Sequence, residues 1–223
     1  MSRRLTIAID GPASSGKGTV ARLVARDLGY AYIDTGAMYR SVALAAMNLA
    51  LDLQDAEALG ALAAALDFRF EWSGGDLRIF VDGEDWSERI RTEAVGMGAS
   101  NVAVHSPVRR ALLDRQRQLG QAGGVVMDGR DIGSVVLPDA DLKVYLDASR
   151  EERAIRRHRE MLARGLDVAI ETILREVTDR DAKDRERAEA PLIQAHDAVY
   201  LDTTDYSAEE SAQRIVEMAH DLG

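Results

Sequence analysis

Leu5-Thr6-Ile7-Ala8-Ile9-Asp10-Gly11-Pro12-Ala13-Ser14-Ser15-Gly16-Lys17-Gly18-Thr19 is an apolar run that passes straight into a glycine loop. The run from Leu5 to Ile9 reads as a strand and the residues from Thr19 to Leu28 as a helix, so the loop joins a strand to a helix. Gly11 and Gly16 let the backbone fold back until several N–H groups point inward. Lys17 can reach outer phosphates, and the helix from about Gly16 adds its positive end. An ordinary strand-to-helix turn needs none of these together, whereas a phosphate cradle needs all of them. The common pattern places Ser or Thr directly after the lysine. Here Gly18 intervenes, and the hydroxyl follows at Thr19.

Outward from that loop, 223 residues suit one α/β domain with embellishments. There is no cysteine, which rules out disulfides and thiolate metal sites. The apolar runs are too short for a membrane span, and the residues before Asp10 are too few for the apolar region of a signal peptide, so a cytoplasmic protein is expected. A formal net charge of −10 argues against binding nucleic acid through its phosphates. Any basic cluster stands out against that background.

Further strands are read at Tyr30 to Ile33, Val125 to Met127, Leu142 to Leu146 and Ala198 to Asp202, each ending next to polar or charged residues. In parallel α/β sheets the residues just past strand ends line the ligand crevice, which places Asp34, Thr35 and Arg40 where chemistry happens. Thr35 is equally a candidate N-cap for the helix that follows. Alternation in Phe68 to Val81 around Ser73-Gly74-Gly75-Asp76 reads as a β-hairpin, an antiparallel insertion on the main sheet. Helices are expected at about 55–66, 92–104 and 106–121, and a closing helix at 207–222 capped by Ser207. Asp128-Gly129-Arg130-Asp131 is a second charged strand end.

The helix from about Ser149 carries six arginines against three glutamates up to Arg164. Arg153, Arg156 and Arg157 share one face, and in an acidic chain with a phosphate cradle they are read as phosphate contacts, the alternative being a solvated face laced with ion pairs. Arg180, Asp184 and Arg187 are spaced to lie on one stripe of the next helix. The four histidines show no metal-ligand spacing and are read as surface or core residues.

With GPASSGKGT, DTGAMYR, DGRDIG and RDAKDRERAEAPL in that order, the chain closely resembles the bacterial cytidylate kinases of the nucleoside monophosphate kinase family, over essentially its whole length. The resemblance implies a P-loop fold with a five-stranded parallel sheet flanked by helices. It implies one domain, its core at about 1–60 and 97–223, a monophosphate-binding insertion at about 61–96 and a short lid at about 150–166. It implies transfer of a phosphoryl group from ATP to CMP or dCMP, with Mg²⁺, by a monomer. Gly11, Pro12, Ala13, Ser14, Ser15, Gly16, Lys17, Gly18 and Thr19 would hold the triphosphate, with Lys17 on its outer phosphates and Thr19 near magnesium. Asp128 would hold the metal through water. Arg40 and Arg130 would clamp the acceptor phosphate beside Thr35, and Ser100, Arg109, Asp131 and Arg187 would meet the cytosine. Arg180 and Asp184 would face the ribose or the lid, and Arg153 and Arg157 would touch the transferred group. A small kinase with another acceptor is the nearer rival. A guanine-reading switch is the farther one, and neither Asn48 nor Asn101 starts the Asn-Lys-x-Asp it would use.

Overall fold

The computed structural model describes residues 4–73 and 76–222. In chain order its elements are β1 (Thr6–Asp10), α1 (Lys17–Leu28), β2 (Ala31–Asp34), α2 (Thr35–Asn48), α3 (Ala56–Ala65), β3 (Phe68–Ser73), β4 (Asp76–Val81), β5 (Glu84–Asp85), α4 (Glu93–Val102) and α5 (Ser106–Gly120). They continue with β6 (Val125–Gly129), a single π-type turn at Ile132–Val136, β7 (Leu142–Asp147), α6 (Arg150–Ala163), α7 (Ile170–Glu186), β8 (Val199–Asp202) and α8 (Ala208–His220). The expected turn at Gly74-Gly75 lies outside the described residues.

The chain forms two compact units, one running to Tyr32 and resuming at Ala122, the other spanning Ile33–Gln121. In the first, the sheet order is β2-β6-β1-β7-β8, with β1 parallel to both β6 and β7, and β7 parallel to β8. Strand β6 is buried along its whole length, as expected of a parallel strand covered on both faces. The register sets Ile9 opposite Asp128 and Asp10 opposite Gly129, so both charged strand ends meet at one edge of the sheet. Helix α1 packs on α8, which is held by a Ser207–Glu210 capping box. Helices α6 and α7 pack on each other around a small cluster of their own, Ala154, Met161, Ile173 and Val177.

The second unit has its own core, in which Met38, Val42, Leu59, Val102 and Leu112 from four helices meet Ile79 and Val81 of β4. Strands β3, β4 and β5 form a separate antiparallel sheet, with Phe70 paired to Ile79.

Local outcomes differ from the sequence reading in three places. Asp34, rather than Thr35, caps α2, because its carboxylate accepts from the Ala37 N–H and leaves Thr35 as the first helical residue. Helix α7 ends at Glu186, and Arg187 follows in extended backbone instead of continuing the stripe of Arg180 and Asp184. The π-type turn after Asp131 stands where the sequence reading assigned no element.

Candidate active site

The glycine loop lies directly on β7. A Cβ at Gly11 would run into the Leu146 carbonyl oxygen, so only glycine permits this approach. Gly16 caps α1 in the left-handed region, at φ 86°. Ser14 is held at φ 58°, an unusual conformation for a residue with a side chain. Lys17 is buried, and its Nζ donates to the Pro12 carbonyl at 3.1 Å. The Ser15 hydroxyl is buried with no hydrogen-bond partner, an unmet demand that a phosphate oxygen would satisfy.

Beside the loop, the end of β6 supplies Asp128, whose Oδ1 accepts from the Tyr32 hydroxyl at 2.8 Å. Arg130 donates through Nε to Asp184 at 2.7 Å, and Arg187 approaches Asp131 at 3.4 Å. Arg130 is thus held by Asp184, not by its neighbour Asp131. Burial works against the charge on Arg130, yet Asp184, with Asp128 and Asp181 behind it, holds the guanidinium above its ordinary pKa. Burial alone would lift Asp184, but Arg130, and after it Arg180 and Arg187, keep it below the usual carboxylate range. Lys17 is pushed down to about 7, first by burial, then by Arg130 and Arg180, with Asp128 and Asp184 opposing. Between that value and the ordinary 10.5 the folded chain binds fewer protons than the unfolded one, so this group adds stability as pH rises through the window.

Arg153, expected to touch a transferred phosphoryl group, is buried. Its side chain is 2% exposed and meets Asp181, itself 3% exposed, through two bonds of 3.0 and 2.6 Å. Its Nη1 also donates to the carbonyl of Ala13 in the loop, and its Nε to that of Ala148. Arg156, three residues on, donates to the Ser15 carbonyl and to Thr203. Arg157 pairs with Glu160 at 3.1 Å. A cleft of about 530 Å³ opens beside the loop, lined by Gly16, Thr19, Arg156, Thr203 and Tyr206 among others. Thr19 lies exposed at its mouth.

Within the second unit, Arg40 pairs with Asp34 at 2.7 Å, and Thr35 is buried at the start of α2. Arg109 lies over the Tyr39 ring, 5.7 Å from its centre, and donates to the Ala103 carbonyl. Ser100 is half-buried on α4.

The donor set fits a magnesium ion that arrives with a nucleotide. Among the described residues no three His, Asp or Glu side chains group to hold a metal unaided. Phosphate-bound magnesium needs only one or two protein oxygens and keeps several waters. Asp128 accepts from Tyr32 through Oδ1, and its Oδ2 lies beside the loop, 3.8 Å from where a Gly18 Cβ would stand. A Cβ there would also come within 3.3 Å of the Tyr32 hydroxyl. The tyrosine therefore fills the space that the usual Ser or Thr side chain would enter.

Tyr32, Asp10 and Asp181 are site residues that sequence reasoning did not single out. Tyr32 sits in an apolar strand pattern, and its partner is 96 residues away. The one available signal for Asp10 was a carboxylate at the end of a buried parallel strand.

A glycine loop at the end of a central parallel strand, with a buried lysine and arginine–aspartate pairs beside it, defines a phosphotransferase of the P-loop class. The family model described as cytidylate kinase matches residues 7–221, and the chain belongs to the cytidylate kinase family. It is 48% identical to a cytidylate kinase of Exiguobacterium sibiricum over 97% of both chains. It is 48% identical to that of Bacillus subtilis, also over 97% of both. For the cytidylate kinase of Pseudomonas syringae pv. tomato the identity is 51%, over 94% of this chain and 93% of the other. Among solved structures, the shikimate kinase from Acinetobacter baumannii in complex with shikimate aligns over 98% of this chain and 94% of that one, with 18% identity and a TM-score of 0.46. Among the described residues no helix is long and apolar enough to cross a membrane.

Proposed function

We propose that this chain moves the γ-phosphoryl group of Mg-ATP onto the phosphate of CMP, and of dCMP, giving ADP and the diphosphate. The observation that carries this reading is the meeting of the loop bearing Lys17 with the Arg130–Asp184 and Asp131–Arg187 pairs at one edge of the sheet. A phosphate oxygen of the acceptor is already a nucleophile, so the protein's task is positioning and neutralising charge. Lys17 and the N–H groups of the loop from Gly11 to Thr19 hold the outer phosphates of the donor, and the cleft beside Arg156 takes its nucleoside. Arg130 meets the acceptor phosphate, with Arg157 at the transferred group, and Arg153 supports the loop from beneath. The resemblance carries Thr35, Arg40, Ser100 and Arg109 to the acceptor as well, and Arg180 with Asp184 to its ribose side. Asp128 and Thr19 would hold magnesium, which when bound neutralises charge on the phosphates. The working unit is a cytoplasmic monomer, which light scattering checks as a single-chain mass. A panel of CMP, dCMP, UMP, AMP and GMP with Mg-ATP tests the activity. Preference for an acceptor other than a cytidine monophosphate rejects it.

Base choice follows from Asp131. Cytosine presents an amino donor to a carboxylate and acceptors to a guanidinium, whereas uracil reverses two of these positions. Asp131→Asn is expected to narrow the CMP-over-UMP preference in kcat/KM by about tenfold or more, because the amide can turn its NH₂ toward uracil O4. An unchanged ratio removes Asp131 from base reading.

Nucleotide binding should also take up a proton. With its pKa near 7, Lys17 is mostly neutral at pH 8, and a polyphosphate beside it restores the ammonium. Titration calorimetry at pH 8 in two buffers of different ionisation enthalpy is expected to show uptake approaching about one proton per ATP. Equal heats in both buffers would contradict this.

A further inference from the structure

Asp10 ends β1, and nothing in the transfer just described uses it. Its side chain is 5% exposed, and each of its oxygens takes one backbone N–H. Ile132 donates to Oδ1 and Gly133 to Oδ2, both at 2.7 Å. These are the first two residues of the π-type turn, and the residue before them is Asp131. The Asp131 carbonyl in turn accepts from the N–H groups of Val135 and Val136. The peptide group that follows Asp131 is therefore pinned at both its N–H and its C=O, and the Asp131 side chain faces Arg187.

This arrangement is costly. Burial pushes the Asp10 carboxyl up to about 6 against the pull of the Gly133 and Ile132 N–H groups, with Asp131 adding to the rise and Lys17 opposing it. A strand end alone needs no buried carboxylate, and an apolar residue there would avoid the penalty. What an apolar residue cannot do is accept two N–H groups from the turn that carries Asp131. The residue after Asp10 is Gly11, the first of the donor loop.

We propose that Asp10 is a positioning residue for the acceptor: its carboxylate fixes the backbone turn behind Asp131 and ties that turn to the donor loop starting one residue later. The two substrates are thereby held in register by one side chain that touches neither. A shift of about 1 Å between reacting groups can cost on the order of a hundredfold in rate, so such a tie has a use. The inference rests on Asp131 reading the base.

Asp10→Asn tests it, because the volume is unchanged and one acceptor survives while the amide NH₂ faces the other N–H. Two donors cannot share 2.7 Å, so the turn must back away. The expected result is a roughly tenfold rise in KM for CMP, with KM for Mg-ATP changed by less than about twofold. The CMP-over-UMP ratio should fall by about tenfold. A lower melting temperature or kcat with KM for CMP and the ratio both unchanged would make Asp10 merely structural and overturn the proposal. Should Asp10→Asn fail to fold, Gly133→Ala decides. Its Cβ would stand 3.4 Å from Asp10 Oδ2 and 3.2 Å from the Lys143 stem, pressing on the same contact without changing charge. A smaller shift of the ratio in the same direction is expected there, and an unchanged ratio overturns the proposal. The unaltered protein is assayed alongside. Its failure to use CMP would sink the activity reading, and this inference with it, in a way that a variant effect cannot imitate.

Discussion

A Lys17→Ala variant is expected to lose about a thousandfold in kcat while keeping its fold. The ammonium is buried beside Arg130 and Arg180 and is parked on a loop carbonyl, a poor partner compared with a phosphate whose charge shifts during transfer. Removing it relieves like-charge crowding, which offsets the loss of its aliphatic stem. Circular dichroism and the melting temperature should therefore change little while turnover collapses. A folded variant with near-native turnover would reject the role of the loop.

The second large effect is on stability. Asp181→Ala leaves the Arg153 guanidinium buried without its two-bond partner, and breaking such a pair from one side typically costs about 3–5 kcal/mol. For a chain of 223 residues that is a fall in melting temperature on the order of 10 °C. KM for ATP should rise as well, because Arg153 also holds the Ala13 carbonyl of the loop. The paired replacement Arg153→Met with Asp181→Leu should be less destabilised than Asp181→Ala alone, since no orphaned charge remains. An unchanged melting temperature in Asp181→Ala would show that Arg153 finds another partner. It would also return Arg153 to the candidates for touching the phosphoryl group.

The sheet was legible in the sequence because each of its strands is a short apolar run that stops at a glycine or an acid. The loop was legible because its glycines, lysine and flanking elements come in one continuous stretch. Depth was not. Arg153, Arg156 and Arg157 share a helical stripe, but a period of 3.6 does not say which arginine turns under the loop. That depends on α7 bringing Asp181 from 28 positions away. Asp10 and Tyr32 were missed for the same reason, as their partners lie 122 and 96 positions off and are fixed by strand register. Asp34 took the cap from Thr35 because a carboxylate at a strand end can turn back onto the helix that follows, a choice that one position of sequence does not resolve.

The pairs Arg130–Asp184 and Arg187–Asp131 also bear on what the protein ignores. These guanidiniums face anions of the chain's own making, so on the proposed reading an arriving phosphate competes with a resident carboxylate instead of filling a bare cationic hole. Binding becomes an exchange of counter-anions, and its driving force is the difference between two charge-assisted contacts instead of the whole of one. An isolated phosphate gains little from such a trade. A ligand that brings a base and a sugar to the same place adds contacts that the carboxylate cannot match, so on the proposed reading these carboxylates are expected to favour nucleotides over free inorganic anions.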